Sequence, residues 1–329
     1  MSGMKLLVTG ARGFVGRRLC QWLAAQGHVG VGTGREPPQH LPTGWSSLAR
    51  SSLLDPAAAP QPAIADTLAI VHLEVKQHVP RPTQAAIDDF TKVNVGCTRE
   101  WLDWAGRRGV ERFVLLSSIK AVAAGDGPTT EAAPAEQTAA YGRSKAEAEM
   151  AVREWAAAAP GRSAVILRPA PVFGPGNEAN LAAFVRQILA GKPCLIGGGE
   201  TRKSLVSLDN LCAAIEFAAT RGERGCEVFN VSDRGKLSLA ELATTIAELA
   251  GAPSPRRIPA WLATLAAPVG DAIEAVSGRD FPLTTSRLRA LRETTVFPCD
   301  KLMAAGFLHP RTTRDGLAEM IAWAKAQRA

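Results

Sequence analysis

Tyrosine is almost missing from this chain: among 329 residues there is one, Tyr141, and aromatics together make up only 5%. With so few rings, and with basic residues spread along the chain, an aromatic-lined nucleic-acid surface has little to be built from. Long apolar runs are missing too, which excludes a bilayer-spanning helix of roughly 18 or more residues. The nearest candidate, Trp261 to Val269, is too short and contains Pro268. It reads as a buried or substrate-covering helix, with an interfacial membrane helix beside Arg256 and Arg257 as the other reading. The cysteines (Cys20, Cys97, Cys194, Cys212, Cys226, Cys299) form no CxxC pair, and the five histidines show no HxxxH spacing. Neither a disulfide framework nor a metal site is expected. Met1-Ser2-Gly3-Met4-Lys5 runs straight into an apolar strand without a signal pattern, so a cytoplasmic location is expected.

What is present is ordinary globular material, 46% apolar and 21% charged, with a net charge of +7. An anionic cofactor and substrate account for some of the positive charge and a solvated surface for most of it. Short apolar strands are expected at 5–9, 29–33, 68–73, 112–116 and 164–168, with an edge strand near Leu48. They alternate with helices from after Gly16 to about Gln26, over 85–108 and over 141–158. That alternation indicates an α/β, Rossmann-type doubly wound parallel sheet. After Pro169 the pattern turns helical, giving a smaller substrate-binding part at 172–329 beside a dinucleotide-binding domain at 1–171, with 204–235 returning to that domain. Ser238 and Glu241 form a capping box whose helix ends at Gly251.

Two patterns carry chemistry. Gly10, Gly13 and Gly16 lie between the first strand and first helix, where glycine allows a tight turn and lets backbone N–H groups approach a pyrophosphate. The second strand ends Thr33-Gly34-Arg35, with Glu36 two residues late for the acid that binds the adenosine ribose. Arg35 and Arg12 are instead placed to meet a 2′-phosphate, which leans towards NADP over NAD. Second, Lys145 follows Tyr141 at i+4, on the same helical face. A neighbouring ammonium is expected to lower a phenol pKa from near 10 and make it a usable acid/base.

The segments Thr9-Gly10-Ala11-Arg12-Gly13-Phe14-Val15-Gly16, Val71-His72-Leu73 and Lys92-Val93-Asn94-Val95-Gly96-Cys97-Thr98 are followed along the chain by Leu116-Ser117-Ser118-Ile119-Lys120, Tyr141…Lys145, Leu167-Arg168-Pro169, Val172-Phe173-Gly174-Pro175-Gly176 and Ser204 to Leu211. In order and spacing they resemble the extended short-chain dehydrogenase/reductase family, in its NAD-dependent epimerase/dehydratase branch acting on nucleotide-sugars. The resemblance implies Tyr141 as the acid/base, Lys145 as the residue that lowers its pKa and holds the nicotinamide ribose, and Ser118 as the partner of the same sugar oxygen. It implies cofactor contacts from Gly10, Arg12, Gly13, Phe14, Val15, Gly16, Arg35, Leu73 and Pro169, with Asn94 supporting the site's helix and a water path. Asn180 and either Arg202 or Lys203 are implied at the sugar or diphosphate.

The sequence also departs from the family. Phe173, Ala123 and Ser52 replace residues usual there, and Glu74 stands near the nicotinamide end as a substrate or loop contact. Ile119-Lys120 occupies the place of the Asp-Glu pair that a 4,6-dehydratase needs, so dehydration is rejected. The resemblance implies a 4-epimerase, a UDP-sugar being the expected substrate, with an NADPH-dependent 4-keto-sugar reductase as the alternative. A non-catalytic NAD(P)-binding sensor and a reductase of an apolar ketone rank lower. A homodimer is implied through helices 85–108 and 141–158, whose exposed faces are expected to carry Trp101 and Trp104.

Overall fold

A computed structural model describes residues 3–55, 57, 61–79, 82–123, 127–135, 139–277, 281 and 283–327. The strands of the main sheet are β1 (Lys5–Thr9), β2 (Val29–Gly34), β3 (Trp45–Ala49), β4 (Ala69–His72), β5 (Arg112–Leu116) and β6 (Ser163–Pro169). Two short pairs lie outside it, β7 (Val172–Phe173) with β9 (Val206–Ser207), and β8 (Pro193–Ile196) with β11 (Arg256–Ile258). The seventh strand of the main sheet is β10 (Gly225–Val231), which gives the order β10-β6-β5-β4-β1-β2-β3. Every pairing in it is parallel. The chain leaves β1 towards β2 and β3, then returns to β4 and proceeds the other way, so the carboxyl ends of β1 and β4 flank a crevice.

Alternation along these strands builds two cores. Leu6, Val8, Val71, Val165 and Leu167 point to one face, and Leu7, Ile70, Phe113, Leu115 and Ile166 to the other. The first face is covered by α1 (Phe14–Ala25) and α7 (Leu208–Thr220), through Leu19, Leu23, Leu211 and Ile215. The second is covered by α4 (Cys97–Arg108) and α5 (Ala140–Ala157). A short helix α2 (Ser51–Leu54) follows β3. The helix expected over 85–108 is α3 (Gln84–Phe90), a π-helical turn (Thr91–Gly96) and then α4.

Trp101 and Trp104 are not on an exposed face, as the sequence had suggested. Both are buried, and their indole N–H groups donate to the Glu74 carboxylate and the Leu53 carbonyl. A buried indole is held by such a partner, so these residues lend nothing to a dimer surface. Glu74, in turn, is occupied by Trp101 and by Arg50 at 3.9 Å.

Beyond β6, α6 (Asn180–Leu189), α8 (Leu239–Ala250) and α12 (Thr313–Ala326) enclose a third core around Phe173, Val185, Ile246 and Leu317. The capping box at Ser238 forms, and Gly251 ends α8 at φ +61°. The apolar stretch at 261–269 lies within the longer α9 (Ala260–Ser277), which rests on α10 (Thr285–Arg292) through Ala263, Ala267 and Leu288. Trp261, Leu265 and Val269 face outwards, so the stretch is not a buried helix. The last short helix is α11 (Asp300–Ala304).

One buried ion pair joins α5 to the sheet. Glu149 accepts from Arg168 Nε at 2.9 Å and Nη2 at 2.7 Å, and from Ser117 Oγ at 2.6 Å. Burial pushes the Glu149 carboxyl up, but the bonds from Arg168 and Ser117 outweigh it and hold the pKa below 4.5. Its stabilisation is therefore complete above the ordinary value and lost as pH falls through the lowered one. Glu149→Gln, which leaves Arg168 buried without its counter-charge, should lower the unfolding free energy by about 3–5 kcal/mol at neutral pH. Glu149→Leu with Arg168→Met should recover most of that in urea titrations, and equal losses in the single and double variants would contradict the account.

Candidate active site

The phosphate loop is shaped by close approaches. Gly10 has φ +67°, and a Cβ there would lie 2.9 Å from the Leu73 carbonyl carbon. A Cβ on Gly16 would lie 2.3 Å from the Gly10 oxygen. Gly13 precedes α1 without a side-chain cap, and the first turn, beginning Phe14-Val15-Gly16, carries no acid. Free N–H groups and the positive end of the helix thus face outwards, a donor set suited to a dinucleotide's pyrophosphate. The buried Thr33 hydroxyl beside the loop has no protein partner, and Leu73 N–H bonds to the Thr9 hydroxyl at 3.2 Å over the same crevice. These residues fit a bound dinucleotide.

At the end of β2, Arg12 is ion-paired with Glu36. The bond from Arg12 holds the Glu36 carboxyl below its usual range. The acid that is late in sequence folds back beside Gly34, where a Cβ would lie 3.2 Å from the Glu36 carbonyl oxygen. Arg12 is therefore engaged by a carboxylate. Arg35 is exposed beside it.

Ser118, Tyr141 and Lys145 meet at the carboxyl end of β5. Ser118 leaves the strand extended and caps the turn Ile119–Ala121, its Oγ accepting from Lys120 N–H at 3.1 Å. The same hydroxyl lies near the Tyr141 phenol and favours its ionised form. Tyr141 is buried in the first turn of α5, edge-on to Phe90 at 5.7 Å and to His78 at 5.6 Å. One turn on, Lys145 is fully buried and its Nζ donates to the Leu116 carbonyl at 2.8 Å.

The expected lowering of the phenol is not found in this arrangement. Burial pushes Tyr141 above 10, and the Ser118 hydroxyl only partly opposes it. Lys145 itself is pulled down to about 8 by burial, with Glu149 opposing. Its ammonium is directed at the strand-end carbonyl, which explains why the i+4 spacing alone overstated its effect on the phenol.

The supporting residues form a chain of contacts. Asn94, in the π-helical turn, donates to Ser144 Oγ at 2.9 Å and accepts from Lys76 N–H at 2.8 Å, and Ser144 Oγ donates to the Tyr141 carbonyl at 2.8 Å. A π-helical turn is a frequent way to aim a side chain at a site. His72 bridges the Thr9 and Thr98 hydroxyls, and burial lowers its pKa to about 3, so it is neutral at working pH. Pro169 is buried at the end of β6. Sequence reasoning missed Glu149, although it continues the Tyr141–Lys145 spacing by one more turn. It also missed His78, for which a lone loop histidine gives no signal.

The residues expected at the substrate are less gathered. Asn180 is exposed in the first turn of α6, while Asn177 binds the Val172 carbonyl and the Ala179 N–H. Arg202 bonds to the Lys236 carbonyl and reaches Glu241 at 3.4 Å. Lys203 binds the carbonyls of Ala290, at 2.9 Å, and Glu293 at the carboxyl end of α10, a favourable place for a cation. A cavity of about 480 Å³ lined by Phe14, Arg18, Asp209 and Arg311 includes none of Ser118, Tyr141 or Lys145.

Because Lys145 ionises near 8 in the fold and near 10.5 in the unfolded chain, the unfolded state binds more protons between these values and stability rises with pH there. Lys145→Met removes this contribution. Denaturation from pH 7.5 to 10 should show the wild type gaining stability relative to the variant, and parallel profiles would contradict it.

Residues 6–232 match the model of the NAD dependent epimerase/dehydratase family. The chain is 28% identical over 316 residues to the N-acetyl-alpha-D-glucosaminyl-diphospho-ditrans,octacis-undecaprenol 4-epimerase of Escherichia coli O157:H7, covering 95% of this chain and 92% of that protein. It is 30% identical over 254 residues to the UDP-glucose 4-epimerase of Vibrio cholerae, covering 74% of each. Among solved structures, MoeE5 in complex with UDP-glucose and NAD matches with a TM-score of 0.72 and 25% identity, over 99% of this chain and 100% of that one. The cofactor there is NAD, and in this chain Arg12 is held by Glu36. Both observations overturn the lean towards NADP read from Arg12 and Arg35. The chain belongs to the NAD-dependent epimerase/dehydratase family and is an enzyme of that type.

Proposed function

We propose that the protein is an NAD-dependent 4-epimerase of a sugar carried on a diphosphate, a UDP-sugar being the first to test. The observation that carries this reading is the gathering of Ser118, the Tyr141 phenol and buried Lys145 at the carboxyl end of β5. The 4-epimerases among the relatives support it, one of them along 95% of this chain. Ile119 and Lys120 follow Ser118, so that turn offers no carboxylate for the acid/base work of dehydration.

Bound NAD supplies the acceptor, and then the donor, of the hydrogen at the sugar's C4. Tyr141 takes the proton of the C4 hydroxyl and returns it in the reverse step. Ser118 holds the same oxygen. Lys145 remains mostly charged at neutral pH, since its pKa is about 8, and the Leu116 carbonyl holds its ammonium at the strand end. Phe90 and Leu73 help keep water from the phenol and the crevice. Gly10, Gly13 and Gly16, with the N–H groups of Phe14 and Val15, receive the pyrophosphate. Arg202 and Lys203 remain the candidates for the sugar's diphosphate, and Asn180 for a neighbouring contact.

The protein with NAD should interconvert a UDP-sugar with its C4 epimer, without net NADH formation, as followed by NMR. One-for-one consumption of NADPH with a 4-keto-sugar, or formation of a dehydrated sugar, would replace the epimerase reading. Tyr141→Phe should slow the reaction about 10²–10⁴-fold, with NAD affinity and melting temperature unchanged. Gly16→Ala should instead abolish NAD binding, because its Cβ has no room beside Gly10, and unchanged affinity would contradict the assigned loop.

A further inference from the structure

We infer that α9 is a docking ridge for an anionic lipid surface. Along its 18 residues, roughly 27 Å of helix, the two sides differ in kind. Ala263, Ala267, Gly270 and Glu274 are buried and face the protein. On the outer side, Trp261 is 66% exposed, Leu265 67%, Val269 59% and Val276 91%, with Leu262 and Ile273 between them. At 100° per residue these six fall within about a third of the helix circumference, one continuous stripe. Scattered apolar residues on a surface need no explanation, but a contiguous stripe marks something that covers it. Among the described residues no helix is long and apolar enough to cross a membrane, so the ridge lies on the surface rather than through it.

Charge selects the occupant. Arg256 and Arg257 are exposed at the entry to α9, and Arg289 and Arg292 on α10 beside it. Arg292 Nη2 donates to the Ala260 carbonyl at 3.1 Å and to Thr264 Oγ1 at 2.8 Å, which places this cation against the first turns of the ridge. The nearby acids offer little opposition. Glu274 is buried and accepts from Phe281 N–H, and Asp271 accepts from Thr285 N–H at 3.1 Å, leaving Glu293 as the exposed carboxylate among the described residues of 256–293. An apolar stripe flanked by arginines complements acyl chains bordered by anionic headgroups. A two-fold pairing of α9 with a second copy would bring the same arginines together across the interface. This inference does not rest on the identity of the sugar or on the reaction assigned to Tyr141.

The test is co-sedimentation of the full-length protein, with NAD, on phosphatidylcholine vesicles with and without phosphatidylglycerol. The protein should partition onto the anionic vesicles, and less so as salt rises. Leu265→Asp with Val269→Asp should weaken partitioning roughly tenfold or more. Removing Arg256 and Arg257 together, each to Ser, should weaken it by roughly fivefold per arginine. Both variants should keep the wild-type melting temperature and turnover of a soluble UDP-sugar. No sedimentation of the wild type with anionic vesicles would overturn the inference. So would equal binding by the Leu265→Asp, Val269→Asp protein, which would reduce the effect to net charge alone. A wild-type dimer that this double variant converts to a monomer in light scattering would assign the ridge to a second copy instead. Loss of UDP-sugar turnover with vesicle binding intact would count against the catalytic reading and leave the ridge in place.

Discussion

The site depends on how α5 is held against the sheet, and that is decided by Glu149. Its carboxylate is fully buried and receives Arg168 from β6 and Ser117 from the end of β5. Two strands and a helix therefore share one acceptor. In a medium of low dielectric such a contact allows little choice of geometry, since any other rotation of the helix leaves a charge without a partner. Tyr141, Lys145 and Glu149 lie on successive turns of that helix. Fixing the third fixes the roll of the first two, and the phenol is thereby held at Ser118.

The two sides of the crevice are prepared differently. At the glycine loop proposed for the cofactor the backbone does the work: glycines at 10 and 16 stand where another chain segment passes too close for a Cβ. At Tyr141 side chains do it, through Asn94, Ser144 and the neutral His72. Arg202 and Lys203, the cations proposed for the substrate, are held by carbonyls of the protein.

The fold was legible because its signals are local. Strands buried on both faces read as apolar runs, the glycine loop falls between a strand and a helix, and a capping box announces α8. Tyr141 with Lys145 was legible from spacing, and Ser118 from the strand end it follows. The electrostatics were less so. Spacing places an ammonium near a phenol but does not say that burial acts on both, nor that the ammonium bonds to Leu116. Trp101 and Trp104 were assigned to the wrong side because an amphipathic helix shows which residues group together, not which group faces inwards. Glu36 was discounted because counting along a strand misses a turn that folds back. The partner of Lys203 lies 90 residues away, beyond any local pattern. An apolar stripe such as that of α9 reads the same in sequence whether it is covered or bare.

The sheet has a further property in its connectivity. Its edge strand β10 pairs along the whole of β6, from Gly225 opposite Ser163 to Val231 opposite Pro169, yet it is separated from β6 by β7, α6, β8, β9 and α7. Helix α7 also closes the face lined by Val8, Val165 and Leu167. A ribosome that has released only the first 171 residues has therefore delivered a sheet with one face partly open and one edge unpaired. Such surfaces favour association with other chains until they are covered. Closure must wait until residue 231 has emerged, so the sheet completes itself only after α6 and α7 have been made.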